Sequence, residues 1–147
     1  MNRLFSLIFF LLRTTSALLF IYAGASKLAS PARFLTEIQA FHLLPYWIAY
    51  GTAIVLPWLE VVCGFAIFTL TYSSAAAFLL MIATLSFMAF LSIADLTGNY
   101  LECGCFGALD FLGGIRQHMI FNGLLVLALA VTFLRCAKLQ RAIDQHQ

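Results

Sequence analysis

Residues 75–96 read AAAFLLMIATLSFMAFLSIADL, a run in which the first charge, Asp95, is the next-to-last residue. About 20 apolar residues in helical form cross a hydrocarbon core of roughly 30 Å. The run does not alternate apolar with polar, so it is not the short strand of a membrane barrel. In lipid every backbone polar group must pair internally, and a helix achieves that within one segment. One spanning helix is therefore expected here.

Working outward, three more runs have the same character, at about 4–25, 45–70 and 115–134. The composition agrees: 63% hydrophobic and 10% charged residues, with a mean hydropathy of +0.99. Soluble domains hold roughly 45–50% apolar and about 25% charged residues. A soluble domain of 147 residues could not hide so much apolar surface. The expected fold is an all-α membrane protein, a four-transmembrane-helix bundle, with residues 1–147 as a single integral membrane domain. Membrane lipid is its first partner.

The first run has a rival reading as a signal peptide, with Ala23-Gly24-Ala25 resembling a cleavage site. An h-region is typically about 7–15 residues, whereas this run is longer and carries Arg13 in its middle. The spanning reading is preferred. Between the first two spans, Phe34, Ile38, Phe41 and Leu44 recur at helical spacing among Lys27, Arg33, Glu37 and His42. That pattern predicts a short interfacial helix lying on the membrane surface.

With both termini on one side, that side carries Arg3, Arg135, Lys138 and Arg141, and the other carries Lys27, Arg33 and Arg116. The clustered C-terminal charges favour cytoplasmic termini. The net charge of +2 is unclustered, and the 15 Phe residues lie among aliphatic ones, so no nucleic-acid partner is indicated.

The most pointed chemistry is Cys103-Gly104-Cys105, between the last two spans and on the outer side in this orientation, where thiols can oxidise. Disulfide geometry wants Cα atoms roughly 4.4–6.8 Å apart, and Gly104 lets the backbone bend towards that limit. A ring so small would be strained, and strained, exposed disulfides are the more oxidising and labile ones. Thiol exchange therefore suits the pair better than a structural staple. An inert dithiol and two ligands of a metal are the other readings. His42 and His118 stand at no recognisable ligand spacing, and no metal site is assigned. Cys63 and Cys136 read as small buried hydrophobes.

Arg13 and Glu60 are charges inside spans, where charges are costly and usually paired. At ~1.5 Å per residue from the cytoplasmic ends they lie about 14 Å and about 16 Å deep. An Arg13–Glu60 ion pair is therefore expected, bracing the bundle or relaying protons. Lys27 and Asp95 fall at the outer ends of their spans, either paired or with Asp95 solvated. Pro57 is expected to kink the second span beside Glu60. Asn122 reads as glue between helices.

Three segments carry a family resemblance: Ala23-Gly24-Ala25-Ser26-Lys27-Leu28, Leu56-Pro57-Trp58-Leu59-Glu60 with Gly64, and Cys103-Gly104-Cys105-Phe106-Gly107. Together with Arg116 and Asn122 they resemble the MauE/DoxX-like family of small bacterial membrane proteins. The resemblance implies a bacterial inner-membrane protein connected with methylamine utilisation. It further implies help in processing, export or maturation of the disulfide-rich β subunit of periplasmic methylamine dehydrogenase. The loop also resembles those of the membrane thiol oxidoreductases of the DsbB and vitamin K epoxide reductase kind. The sequence departs from these in having C-x-C rather than C-x-x-C and no evident second outer pair. No cofactor is assigned from the residues; a quinone is the one that this second resemblance admits.

Two function classes follow. In one, Cys103 and Cys105 exchange thiols and disulfides with a periplasmic protein or thiol carrier. In the other, the chain is a non-catalytic DoxX-like subunit or scaffold of a membrane complex, with structural cysteines. A transporter reading finds neither repeat halves nor paired broken helices.

Overall fold

A computed structural model describes residues 3–69, 72–97 and 115–144. They form five helices: α1 (Arg3–Ala29), α2 (Pro31–Ala40), α3 (Tyr46–Ile67), α4 (Ser73–Leu96) and α5 (Ile115–Asp144). The described residues contain no strand. The four long helices are each apolar and long enough to span a membrane, as the sequence predicts.

The antiparallel pair α1–α3 is the most extensive contact, followed by α4–α5; α3–α4 and α1–α5 contacts close the bundle. Small residues set the closeness of the first pair. A Cβ added to Gly24 would fall 2.6 Å from the Pro57 carbonyl oxygen and 2.7 Å from Val61 Cγ2. One added to Gly64 would fall 2.7 Å from Ile21 Cγ1. Lacking these atoms, the two backbones approach as small residues allow in lipid, where packing rather than hydrophobic expulsion drives association. The main core lies one layer further, where Ala17, Phe20, Ile67, Leu80 and Leu129 meet across four helices.

Much of the remaining apolar surface points outward. Phe10, Val55, Trp58, Phe65, Leu124 and Leu127 are all exposed, which a soluble protein could not sustain. These faces meet lipid. Tyr46, Trp47 and Tyr50 are exposed at the start of α3, where amphipathic rings sit at the level of lipid headgroups.

Two spans are longer than the hydropathy pattern predicts. The pattern places the ends at 25 and 134, but α1 runs to Ala29 and α5 to Asp144. Charge ends an apolar run without ending a helix, and the residues after Leu134 are mostly good helix formers. At 30 residues α5 is about 45 Å long, more than a hydrocarbon core of roughly 30 Å requires, and Arg135, Lys138 and Arg141 lie in its last turns. In contrast α3 closes at Ile67, short of the expected residue 70. It also continues through Pro57 as one helix.

The short helix after the first span is present as α2, with Pro31 in its first turn supplying a preset φ. Its Phe34 and Ile38 are buried against Ala49 and Ala53 of α3. The apolar face is thus covered by protein, where the sequence pattern predicted a membrane surface. An amphipathic period specifies that a face is buried but not what buries it. The chain reverses into α3 at His42, whose φ of 53° lies in the left-handed region. Its Nδ1 lies 2.8 Å from the Ala40 carbonyl oxygen, and Pro45 then leads into the next helix.

Candidate functional site

The α1–α3 register explains the polar chemistry of the interior. Gly24 lies against Pro57 and Glu60, Gly64 against Ala17 and Ile21, and Arg13 reaches Ile67. One turn beyond Gly24, Lys27 comes level with Glu60. Its Nζ donates to Glu60 Oε1 at 2.8 Å and to Oε2 at 2.7 Å. Both residues are buried, at 8% and 7% exposure. Lys27 occupies the last turn of α1, where the helix dipole favours a cation. Its ammonium also lies 5.4 Å from the centroid of the Phe34 ring, so α2 covers the pair from above.

The expected Arg13–Glu60 pair is therefore not formed. The Arg13 guanidinium caps the end of α3, donating from Nε to the Ile67 carbonyl at 2.8 Å and from its second nitrogen to the same oxygen and to Thr69. The depth estimate assumed that the two spans end flush. In the structure Arg3–Leu12 lead past the end of α3, so Arg13 is level with Ile67. Ile67 is about two turns, or roughly 10 Å, from Glu60. Arg13 satisfies carbonyls that a helix C-terminus leaves without partners. Asp95 has an exposed side chain near the end of α4, while Lys27 is engaged by Glu60.

Beside the ion pair lies a cavity of about 440 Å³, within the roughly 300–1,000 Å³ typical of ligand pockets. Its walls come from all four long helices and from α2. Phe20, Phe34, Phe87 and Phe90 supply aromatic faces; Lys27, Glu60, Thr52, Thr84, Ser86 and Asn122 supply the polar groups. Thr84 is buried with its hydroxyl donating to the Leu80 carbonyl at 2.8 Å. Asn122 is 1% exposed, and its amide nitrogen has no hydrogen-bond partner among the described residues. The sequence suggests glue between helices; among the described residues that nitrogen makes no such bond.

Cys63 and Cys136 are buried free thiols. The first belongs to the main core, and Cys136 Sγ accepts a hydrogen bond from Ser73 at 3.2 Å. Cys103 and Cys105, with the whole segment 98–114, lie outside the described residues. The flanks of that segment are described. Leu91 and Ala94 of α4 and Met119 of α5 pack with Phe41, so the segment leaves and rejoins the bundle at the end that α2 covers.

The sequence pattern sets Glu60 against Arg13 and Lys27 beside Asp95, and leaves Asn122 alone, so it does not bring Lys27, Glu60 and Asn122 together. The usable signal was the two small residues, Gly24 set against Pro57 and Gly64 set against Ala17 and Ile21, which fix the register that lets Lys27 meet Glu60.

Four apolar spanning helices around a charge-balanced polar interior make this chain a multi-pass membrane protein. Its sequence matches the model of the family described as methylamine utilisation protein MauE over residues 5–135. The chain belongs to that family, and so to the membrane proteins associated with methylamine utilisation. Comparison with curated proteins and with solved structures returns no match.

Proposed function

We propose that the protein assists maturation of a disulfide-bearing periplasmic protein, such as the methylamine dehydrogenase β subunit, through the Cys103/Cys105 pair. The observation that carries this reading is a Cys-Gly-Cys element in a membrane protein of the methylamine utilisation family. The protein sits in the bacterial inner membrane with its termini in the cytoplasm and the α4–α5 connection on the periplasmic face. The excess of Lys and Arg at the C-terminus supports that orientation.

In the exchange step a client thiolate attacks one sulfur of the Cys103–Cys105 disulfide, forming a mixed disulfide and releasing the other sulfur as a thiolate. A second client thiolate then displaces the bound sulfur. The client leaves with one disulfide, and Cys103 and Cys105 leave with the two electrons and two protons, as a dithiol. A quinone, reduced to the quinol by the same two electrons and two protons, is the acceptor class that restores the disulfide.

The test is made in cells that grow on methylamine. A Cys103→Ser, Cys105→Ser double variant should lose methylamine-dependent growth and accumulate reduced β subunit. In each single variant the remaining thiolate can instead attack the disulfide of an oxidised client, releasing the client's other sulfur as a thiolate, and the mixed disulfide so formed should be visible on a non-reducing gel. Full growth of the double variant would overturn the thiol reading in favour of a non-catalytic scaffold.

A further inference from the structure

The cavity beside the ion pair carries an inference that rests on its walls and its opening and not on the thiol reading. Its polar groups ask little of a guest. Lys27 and Glu60 are bonded to each other, and the Thr84 hydroxyl donates to the Leu80 carbonyl. The Asn122 amide nitrogen is buried out of reach. Phe, Leu, Ile and Ala make up most of the rest of the lining, whereas a buried water wants two to four polar partners. At about 440 Å³ the space is about three times an engineered apolar cavity that stays dry and takes up benzene. The cost of leaving a cavity empty grows with its volume, so an apolar guest is favoured over both water and vacuum.

The opening identifies the guest. Ser86 lines the cavity and is exposed, and Thr52, Leu56, Ala83 and Phe87 line it and are half-buried. All five belong to α3 and α4, so the cavity opens between those two helices. Val55, Ile82 and Leu85, close to them in sequence, are exposed, so the mouth faces lipid. Thr52 and Leu56 lie about 9 and about 15 Å along α3 from Tyr46, deeper than the rings that sit among the headgroups. At that depth the bilayer offers hydrocarbon chains and no water.

We propose that the cavity is a lipid site, which takes one acyl chain of a bilayer phospholipid through the gap between α3 and α4. The chain lies against Phe20, Phe87 and Leu125, and its head group stays at the level of Tyr46 and Trp47. A flexible chain fits an irregular space lined by rings and branched side chains, and it crosses the mouth without giving up a polar contact. It completes the packing that the helices alone leave open.

The test uses the full chain in nanodiscs of phosphatidylcholine whose acyl chain carries a photoactivatable diazirine near its middle, with adducts mapped by mass spectrometry. Phe20 and Leu125 are 5% and 6% exposed, so a chain of the bilayer labels them from inside the cavity. Trp58 and Leu124 are exposed and report the ordinary lipid-facing surface. In the wild type, adducts should appear on Phe20 or Leu125 as well as on Trp58 and Leu124. Ala83→Phe, which fills the mouth from α4, should lose the interior adducts and keep the surface ones. Leu56→Phe fills the space from α3 and gives the same reading where Ala83→Phe does not fold, a cooperative thermal melt serving as the check on each variant. Adducts confined to lipid-facing residues in the wild type would overturn the proposal, and so would interior adducts that persist in a folded, filled variant. None of these readouts depends on Cys103 or Cys105, so failure here is distinct from failure of the thiol reading.

Discussion

Removing one member of the buried Lys27–Glu60 pair should be among the most damaging polar changes available in this chain. The two side chains are joined by two short charge-assisted bonds, at 2.8 and 2.7 Å, and neither reaches solvent to any useful extent. Glu60→Leu strands the ammonium, and Lys27→Met strands the carboxylate. Breaking a buried pair in this way costs about 3–5 kcal/mol, because the survivor is left charged and uncompensated. The double variant Lys27→Met, Glu60→Leu removes both charges and should recover most of that loss, since hydrophobic replacement of a whole buried pair is often neutral. The coupling energy of the cycle should therefore exceed about 2 kcal/mol, near the upper part of the range for residues in contact. The assay is denaturant unfolding in mixed micelles followed by far-UV circular dichroism. A parallel cycle on Arg13→Met and Glu60→Leu is the control. Those residues are separated by about two turns of α3, so their effects should add within about 0.5 kcal/mol. Near-zero coupling for Lys27–Glu60, or strong coupling for Arg13–Glu60, would refute the α1–α3 register.

Further outcomes follow from the same packing. Gly24→Ala should destabilise by about 1–3 kcal/mol, because the new methyl meets the Pro57 carbonyl and overpacking forces the backbones apart. Gly51→Ala and Gly123→Ala, with nothing within 4 Å of the added atom, should be neutral or gain up to about 1 kcal/mol from helix propensity; melting temperatures compare all three. Arg13→Met should cost about 1.5–3 kcal/mol, the worth of hydrogen bonds from a charged donor, and amide hydrogen exchange should show faster fraying at the end of α3. In the Cys103→Ser, Cys105→Ser variant, Cys63 and Cys136 should resist maleimide in the folded protein and react fully in SDS, as mass spectrometry would record.

Hydropathy alone located the four spans, because lipid imposes one rule on every spanning segment and length satisfies it. Their ends were less legible. Arg135 and Lys138 end the apolar run of α5, but helix formers carry the helix on to Asp144. The period of Phe34, Ile38 and Phe41 showed α2 and its buried face, while the identity of the cover depended on tertiary packing. The partner of Glu60 is hidden in the sequence for a similar reason. Depth counted from the span ends is a one-dimensional measure, whereas partner choice depends on the offset between helices. That offset is set by Gly24 and Gly64, residues whose contribution is the side chain they lack.

The cavity depends on the same offset. Lys27 comes from α1, Thr52 and Glu60 from α3, Thr84 and Ser86 from α4, and Asn122 from α5. Each, taken singly along its helix, is the kind of polar residue that membrane helices use to hold one another. If holding were their only task, the lowest-energy arrangement would bring their donors and acceptors into mutual contact. Lys27 and Glu60 meet that condition, and Thr84 bonds its own helix. Asn122 does not, although it is nearly inaccessible and faces the same space. A buried amide nitrogen left without a partner costs about 1–3 kcal/mol, more than a single interhelical bond usually returns in lipid. Among the described residues, helix association through that nitrogen therefore does not account for Asn122.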